Sequence, residues 1–149
     1  MEGGNLKQPE IQCALKIYFE NDYDVNEITK ILGVKPTNSA NYLDAGYTRT
    51  TNIKRAGYWW YIIPSCRDYQ SCWKLSEILT ELFMPFSEQQ LEWLKEIKKR
   101  HDGKIVIDIN VFVKNDFPEM CLDGKNMRII HDLEADVNLN LNRDEENDD

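Results

Sequence analysis

The sequence lacks a long apolar run, which excludes a membrane-spanning helix. The longest apolar stretch, residues 59–63, falls far short of the roughly 20 residues that such a helix needs. Residues 1–10 are polar and contain no apolar segment before a small-residue cleavage site, so we predict no signal peptide. We therefore expect a cytoplasmic protein.

Cysteines are few and scattered. The four of them, Cys13, Cys66, Cys72 and Cys121, do not form the framework of a secreted disulfide-rich protein, and in a reducing compartment we expect thiols. Five residues separate Cys66 from Cys72, whereas structural zinc sites favour about two to four, and no zinc-binding pair of histidines follows. The sequence therefore predicts neither a metal site nor a bound cofactor.

Motifs of known catalytic chemistry are also missing. The sequence has no glycine-rich phosphate-binding loop and no nucleophile elbow. Of the two histidines, His101 ends a basic run and should complement the negative end of a helix dipole, while His131 fits an ordinary surface position. We predict no catalytic residues, although an uncharacterised enzyme stays an alternative because a sequence does not reveal convergent polar groups.

The sequence has fewer positive than negative residues: 18 lysines and arginines against 26 aspartates and glutamates, a net charge of −8. Residues 143–149 hold five acids and one arginine, contribute −4, and leave −4 for the rest of the chain. An acidic surface repels phosphates, so we expect neither nucleic acid nor membrane as a partner and favour a basic protein. We divide the chain into a single domain, residues 1–142, and an acidic flexible tail, residues 143–149.

Two segments carry an apolar residue at every second position, the period of a strand with one buried face. They are residues 11–19, where the alternation is strict, and residues 105–113, and residues 136–142 repeat the pattern with one wet face. Residues 58–63 form a continuous aromatic and β-branched run, which predicts a central strand covered on both faces. A weak strand around residues 48–51 should pair with it as a hairpin.

Helical spacing of apolar residues appears between these strands. Asp24 resembles a helix N-cap, and Gly33 supplies the left-handed stop of the same helix. Residues 75–83 carry one apolar stripe, and Ser87 with Gln90 offers a capping box for a second helix directly after it. Residues 127–133 predict a short last helix.

Together these elements predict an α+β fold. Their order is β-α-β-β-α-β-α-β, where the second helical segment consists of two consecutive helices. We expect one mainly antiparallel sheet with helices on one face, and the nearest named architecture is a ferredoxin-like variant with an added strand.

The richest local chemistry is an aromatic run beside basic residues. Because side chains alternate along a strand, Trp59 and Trp60 point to opposite faces. We expect Trp59 in the core and Trp60 at the surface, where tryptophan contributes strongly to binding. A pocket between sheet and helices near Arg49, Arg55 and Trp59 is the alternative site.

Three short motifs resemble one family. Residues 32–36 read Leu-Gly-Val-Lys-Pro, Gly46 and Arg55 lie in the following loop, and residues 57–59 read Gly-Tyr-Trp. The pattern is similar to that of a family of small bacterial proteins known only as a domain of unknown function, over about residues 11–141. The resemblance implies the fold and no activity. Members are similar in size and style to immunity proteins that neutralise toxins.

The leading hypothesis is therefore a non-catalytic immunity protein that binds a cognate toxin through an acidic and aromatic surface, which suits a basic toxin domain. A small-molecule or peptide sensor that uses the sheet–helix pocket is the alternative from another class. The predicted partner contacts are Trp60, Asp108, Asn110, Asp136, Asn138 and Asn140.

Overall fold

The computed structural model describes residues 10–44, 56–63, 74–113 and 118–143. These residues form five strands and four helices, which confirms the α+β prediction. In chain order the elements are β1 (Glu10–Phe19), α1 (Asn26–Leu32), β2 (Asn38–Ala40), β3 (Gly57–Ile63), α2 (Leu75–Phe83), α3 (Glu88–Arg100), β4 (Gly103–Val113), α4 (Gly124–Leu133) and β5 (Asp136–Arg143).

The strands form one mixed sheet in the order β2-β3-β1-β4-β5. The pairs β2–β3, β3–β1 and β1–β4 are antiparallel, whereas β4 and β5 run parallel. The sheet expected to be mainly antiparallel is thus a mixed sheet with one parallel pair. This pair arises because α4 intervenes between β4 and β5, and parallel strands need such a crossover.

The core lies on one face of the sheet, and β1 is at its centre. Ile17 pairs with Trp59 of β3 on one side and with Ile105 of β4 on the other, and all three are at most 1% exposed. Helix α2 packs on β1 and β3, and α3 packs on β4. The strict alternation in β1 and β4 thus places one apolar row of each strand against helices, as expected of half-buried strands.

Local sequence explains where several helices begin and end. Gly33 ends α1 in the left-handed conformation, with φ of 73°, as predicted from its position. The capping box at α3 is also confirmed, because Ser87 Oγ accepts from the Gln90 amide and Gln90 Oε1 accepts from the Ser87 amide. None of the helices in the described ranges is long and apolar enough to cross a membrane.

Two features of the structure differ from the sequence-based expectations, and a third expectation falls outside the described residues. Val25, not Asp24, occupies the N-cap position of α1, although the Asp24 carboxylate still accepts from the Asn26 amide at 3.0 Å. A strand at Asn38–Ala40 pairs with β3 and was not predicted, while the strand expected at residues 48–51 lies outside the described residues. Short polar strands escape sequence patterns because two or three residues carry no period.

Strand β5 was expected to have one wet face, and instead all eight of its residues are exposed. It pairs with β4 alone among the described strands and therefore forms an edge of the sheet. It also extends to Arg143, one residue beyond the predicted domain boundary.

Candidate functional site

The six predicted contacts lie on one surface, the sheet face opposite the described helices, which we call the outer face. Strand register puts Trp60 of β3 beside Lys16 of β1, Lys16 beside Val106 of β4, and Val106 beside Asp136 of β5. Residues two positions along each strand share this face, because side chains alternate. Asp108, Asn110, Asn138 and Asn140 therefore also belong to the outer face.

A connected polar cluster crosses four strands of this face. Lys16 Nζ is 2.7 Å from Asp108 Oδ2 and 4.4 Å from the centroid of the Trp60 ring. Asn140 Nδ2 donates to Asp108 Oδ1 at 2.9 Å. We call Trp60, Lys16, Asp108 and Asn140 the outer-face cluster. A cation over the face of an indole ring is an attractive contact, so Lys16 joins the aromatic and acidic members.

Asp108 is the most buried member of the cluster, with 7% exposure. Its neighbours on the same face include Ala14 and Val106, which are 3% and 5% exposed. A carboxylate in such apolar surroundings needs a counter-charge and hydrogen bonds, and Lys16 and Asn140 supply them. Because both carboxylate oxygens are engaged, Asp108 organises the face and offers little to a partner.

The other charges described on the outer face are paired too. Lys104 Nζ lies 3.7 Å from Asp136 Oδ2, and both side chains are largely exposed. With Lys16 and Asp108, these residues form two cation–anion pairs on the outer face. Charges paired in this way contribute little to the steering of a basic partner.

Aromatic rings surround the lysine end of the cluster. Trp60 contacts Tyr58 with a centroid distance of 4.8 Å and Tyr18 with an edge-on distance of 6.4 Å. All three are half-buried. Burial raises the pKa of Tyr18 above its ordinary value of 10.0, so its hydroxyl is neutral at physiological pH. The three rings form an aromatic patch, within which the indole N–H of Trp60 is itself buried.

The exposed contacts of this face are all on β5. Asn138, Asn140 and Asp136 are exposed, and Asn110 is half-buried. A side-chain amide offers both donors and an acceptor. The outer face therefore combines aromatic surface at one end with amides at the other.

Of the three residues predicted to form the alternative pocket, the structure describes only Trp59. Trp59 has no exposed surface, and its indole N–H donates to Thr29 Oγ1 at 2.9 Å, which confirms its expected core position. Arg49 and Arg55 lie outside the described residues. A buried tryptophan with its N–H satisfied is part of the core rather than of an open pocket.

Sequence reasoning placed Tyr58 in the aromatic run but missed Lys16 and Tyr18 as members of the site. Alternation along β1 already placed Lys16 and Tyr18 on the polar side of that strand. The missing information was the register, since only the pairing of β1 with β3 brings Lys16 beside Trp60. A one-residue slip would have reversed these faces.

A groove of about 940 Å³ lies elsewhere, among α2, α3 and α4. Apolar side chains such as Phe83, Leu91 and Ile129 line it, and charged ones such as Lys125 and Glu92 border it. This size is sufficient for a small ligand. The groove lies on the helix layer, and Trp59 is not among the residues that line it.

The described residues offer few groups for metal or proton chemistry. Within residues 10–44, 56–63, 74–113 and 118–143 there is no cluster of three or more histidine, cysteine or acidic side chains that could hold a metal ion. His101 ends α3, as predicted, and packs on Tyr23 with a centroid distance of 4.4 Å. Burial raises the pKa of Cys13 to about 12, so this thiol stays protonated.

The comparisons with known proteins identify the family alone. No curated protein and no solved structure matches the chain. The model of the family described as Domain of unknown function (DUF4279) matches residues 9–143. This match spans β1 to β5 and therefore every element described above. The chain belongs to the DUF4279 family.

Proposed function

We propose that this chain is a non-catalytic binding module whose outer face engages another protein. The observation that carries the proposal is the outer-face cluster, which joins Trp60, Lys16, Asp108 and Asn140 across four neighbouring strands. Tryptophan and tyrosine supply large contact areas at low entropic cost and dominate many interfaces. Here they stand on a sheet, a rigid support that preserves their positions.

The partner class that we favour is a toxin domain, which would make the chain an immunity protein. This choice rests on the analogy of size and style and on the position of Trp60 and the amides of Asn110, Asn138 and Asn140 on one face. Inhibition by direct binding needs a preorganised surface rather than a catalytic group. The paired charges and the aromatic patch satisfy that requirement.

A growth assay tests the proposal directly. The chain would be co-expressed with the protein encoded beside it, and rescue from toxicity and formation of a purified complex would be measured. Trp60→Ala and Asn110→Arg should each weaken the complex, and loss of a central tryptophan should raise the Kd about 30-fold or more. Neither substitution removes a residue of the apolar core.

Trp93 provides the matched control. It lies on α3, away from the outer face, and is 46% exposed. Trp93→Ala should leave rescue and affinity unchanged, and circular dichroism should show that all three variants fold. The proposal fails if the neighbouring product neither harms growth nor binds, or if Trp93→Ala weakens binding as much as Trp60→Ala.

The second candidate function is a small-molecule or peptide sensor, which the groove among α2, α3 and α4 favours. A ligand present at 100 times its Kd adds roughly 2.7 kcal/mol to the free energy of unfolding. A thermal-shift screen would detect it. Met84, 70% exposed and part of the groove wall, gives a test variant, since Met84→Arg should abolish a shift that arises in the groove.

We also propose a ferredoxin-like architecture for the first four strands. In the sheet order β2-β3-β1-β4, β3 lies between β1 and β2, the two strands that α1 connects. Likewise β1 lies between β3 and β4, which α2 and α3 connect. A strand between two helix-connected strands supports a split β-α-β arrangement. Strand β5 then extends the sheet at β4. A solved structure of a family member with the same strand order would test the assignment.

A further inference from the structure

The groove among α2, α3 and α4 has an apolar floor that is open to solvent. Phe83 and Leu133 at its base are buried, Leu91 and Ile129 are half-buried, and Met84 is 70% exposed. Sites for small molecules enclose about 70–90% of the surface of their ligand, and a floor this exposed does not do so by itself. The groove is therefore better suited to a larger occupant that covers it from outside.

Opposite charges line the two sides of this floor. Glu88 and Glu92 border the groove on α3, and we call them the α3 wall. Lys125 and Arg128 border it on α4, and we call them the α4 wall. All four residues are exposed, and none of them forms an ion pair with any residue of the described ranges. Asp132, one turn beyond Arg128, reduces the positive charge of the α4 side without cancelling it.

Two contacts hold the walls apart. At the start of α4, Asn126 Nδ2 donates to Ser76 O at 3.2 Å and to Thr80 Oγ1 at 3.1 Å, which ties α4 to α2. At the other end, Lys98 Nζ donates to Glu134 O at 2.7 Å, which ties the residue after α4 to α3. Because α4 is fixed at both ends, the groove does not close by pairing its own walls. The charges are thus preorganised for an occupant.

We propose that this groove receives an amphipathic helix of a protein partner. The apolar stripe of that helix would lie on the floor, its basic flank along the α3 wall and its acidic flank along the α4 wall, which is a recurrent mode of peptide recognition. The proposal rests on the second candidate function, the groove as a sensor site, and names its ligand.

The dimensions of the groove fit two turns of a helix. Between Lys125 and Asp132, which both border the groove, α4 rises by about 10 Å, the length of two turns. Two turns of a helix about 10 Å wide occupy about 850 Å³, and the groove has a volume of about 940 Å³. The occupant therefore needs only a short helical segment.

A designed peptide tests the proposal. The probe is a peptide of about 14 residues, four helical turns, cross-linked on its solvent side to keep it helical, with leucines along one stripe, lysines along one flank and glutamates along the other. Isothermal titration calorimetry with the full chain should detect binding. Glu88→Lys/Glu92→Lys makes both walls positive and should raise the Kd roughly tenfold. The matched control Glu81→Lys/Glu96→Lys changes the net charge equally at exposed residues outside the groove and should leave the Kd unchanged.

Exchange of the two walls gives the sharpest test. The variant Glu88→Lys/Glu92→Lys/Lys125→Glu/Arg128→Glu carries the acids on α4 and the lysines on α3. The same peptide can then bind end for end, which exchanges its flanks and keeps its leucines on the floor. Its Kd should return to near the wild-type value, a recovery that loss of fold or a change in net charge does not produce. Circular dichroism checks the fold of each variant.

Heteronuclear NMR locates the peptide. It should shift the amide signals of Gly124 and Ile129, which line the groove, and leave that of Lys16 on the outer face in place. Trp60→Ala should bind the peptide as the wild type does, so this assay and growth rescue fail independently.

Four results would overturn the proposal. They are a wild type that does not bind the peptide, an exchange of walls without recovery, peptide-induced shifts on the outer face instead of the groove, and groove signals that shift with protein concentration alone, which would show a second copy in the groove. A small molecule that stabilises the chain through the groove, with no binding of the peptide, would leave the sensor function standing and remove the helix as its ligand.

Discussion

Replacing Asp108 with alanine tests whether the outer-face cluster holds the sheet together. The substitution removes the counter-charge of Lys16 at 2.7 Å and the acceptor of the Asn140 amide at 2.9 Å. It leaves an ammonium group whose side chain is only 19% exposed. We therefore expect loss of stability, caused chiefly by the charge left without its partner.

The expected magnitude lies between two limits. Breaking a fully buried ion pair costs about 3–5 kcal/mol, whereas an exposed pair contributes about 0.2–1 kcal/mol. The Lys16–Asp108 pair is closer to the buried limit, since the Asp108 side chain is 10% exposed. However, Lys16 keeps its contact with Trp60 and can turn its ammonium group toward water. We expect Asp108→Ala to lower the free energy of unfolding by about 2–3 kcal/mol.

Urea unfolding monitored by circular dichroism gives this free energy. A double-mutant cycle with Lys16→Met separates the pair interaction from other effects and should give a coupling energy of about 1–3 kcal/mol. Asn140→Ala is the matched control, because it removes one hydrogen bond to the same carboxylate and should cost about 1 kcal/mol or less.

A small coupling energy would refute the reasoning. If the cycle gives less than about 0.5 kcal/mol, the pair behaves as an exposed salt bridge. The cluster would then be a surface contact, and its rigidity could not support the proposed recognition face. An Asn140→Ala variant as unstable as Asp108→Ala would also contradict the assignment of the main effect to Lys16.

Three further predictions concern single side chains. Thr29→Val removes the acceptor of the buried Trp59 indole N–H and should cost about 1–3 kcal/mol in urea unfolding. Cys121 is exposed and Cys13 is buried, so iodoacetamide labelling and peptide mapping should modify Cys121 first and Cys13 only after unfolding. Hydrogen bonds from the side chain and the backbone amide of Asn126 lower the pKa of Asp123. The Asp123 carboxylate should therefore stabilise the fold at neutral pH, and this stabilisation should be lost as the pH falls below 3.8. In acid unfolding, Asp123→Ala should not show this loss of stability.

The sequence predicted the long elements because their signals are periodic over many residues. In the ten residues of β1 and the eleven of β4, successive side chains point to opposite faces of the sheet. The capping box of α3 depends only on Ser87 and Gln90, three residues apart. The sequence could not predict that β5 pairs parallel to β4, because pairing depends on where α4 returns the chain. Nor could it predict the exposed apolar side of β5, since alternation shows which residues share a face and not whether a helix covers it.

The candidate site was predictable as a set of residues and not as an arrangement. Alternation separated Trp60 from the core residue Trp59, and the outer face indeed carries Trp60. The connection from Trp60 through Lys16 to Asp108 requires the register of three strands, and register is fixed by long-range packing. Asp108 therefore looked like an exposed acid in sequence, although it is buried and paired.

This pairing predicts how the proposed complex responds to salt. Asp108 is engaged by Lys16, and Asp136 lies 3.7 Å from Lys104, so contacts of the outer face should come from aromatic rings and amides. The association rate can still respond to ionic strength, because the whole chain has a net charge of −8. The dissociation rate should change little, since salt screens exposed charges and not packed aromatic surface. Stopped-flow or surface plasmon resonance measurements at several salt concentrations would separate the two rates, and a dissociation rate that rises steeply with salt would instead show an interface made of ion pairs.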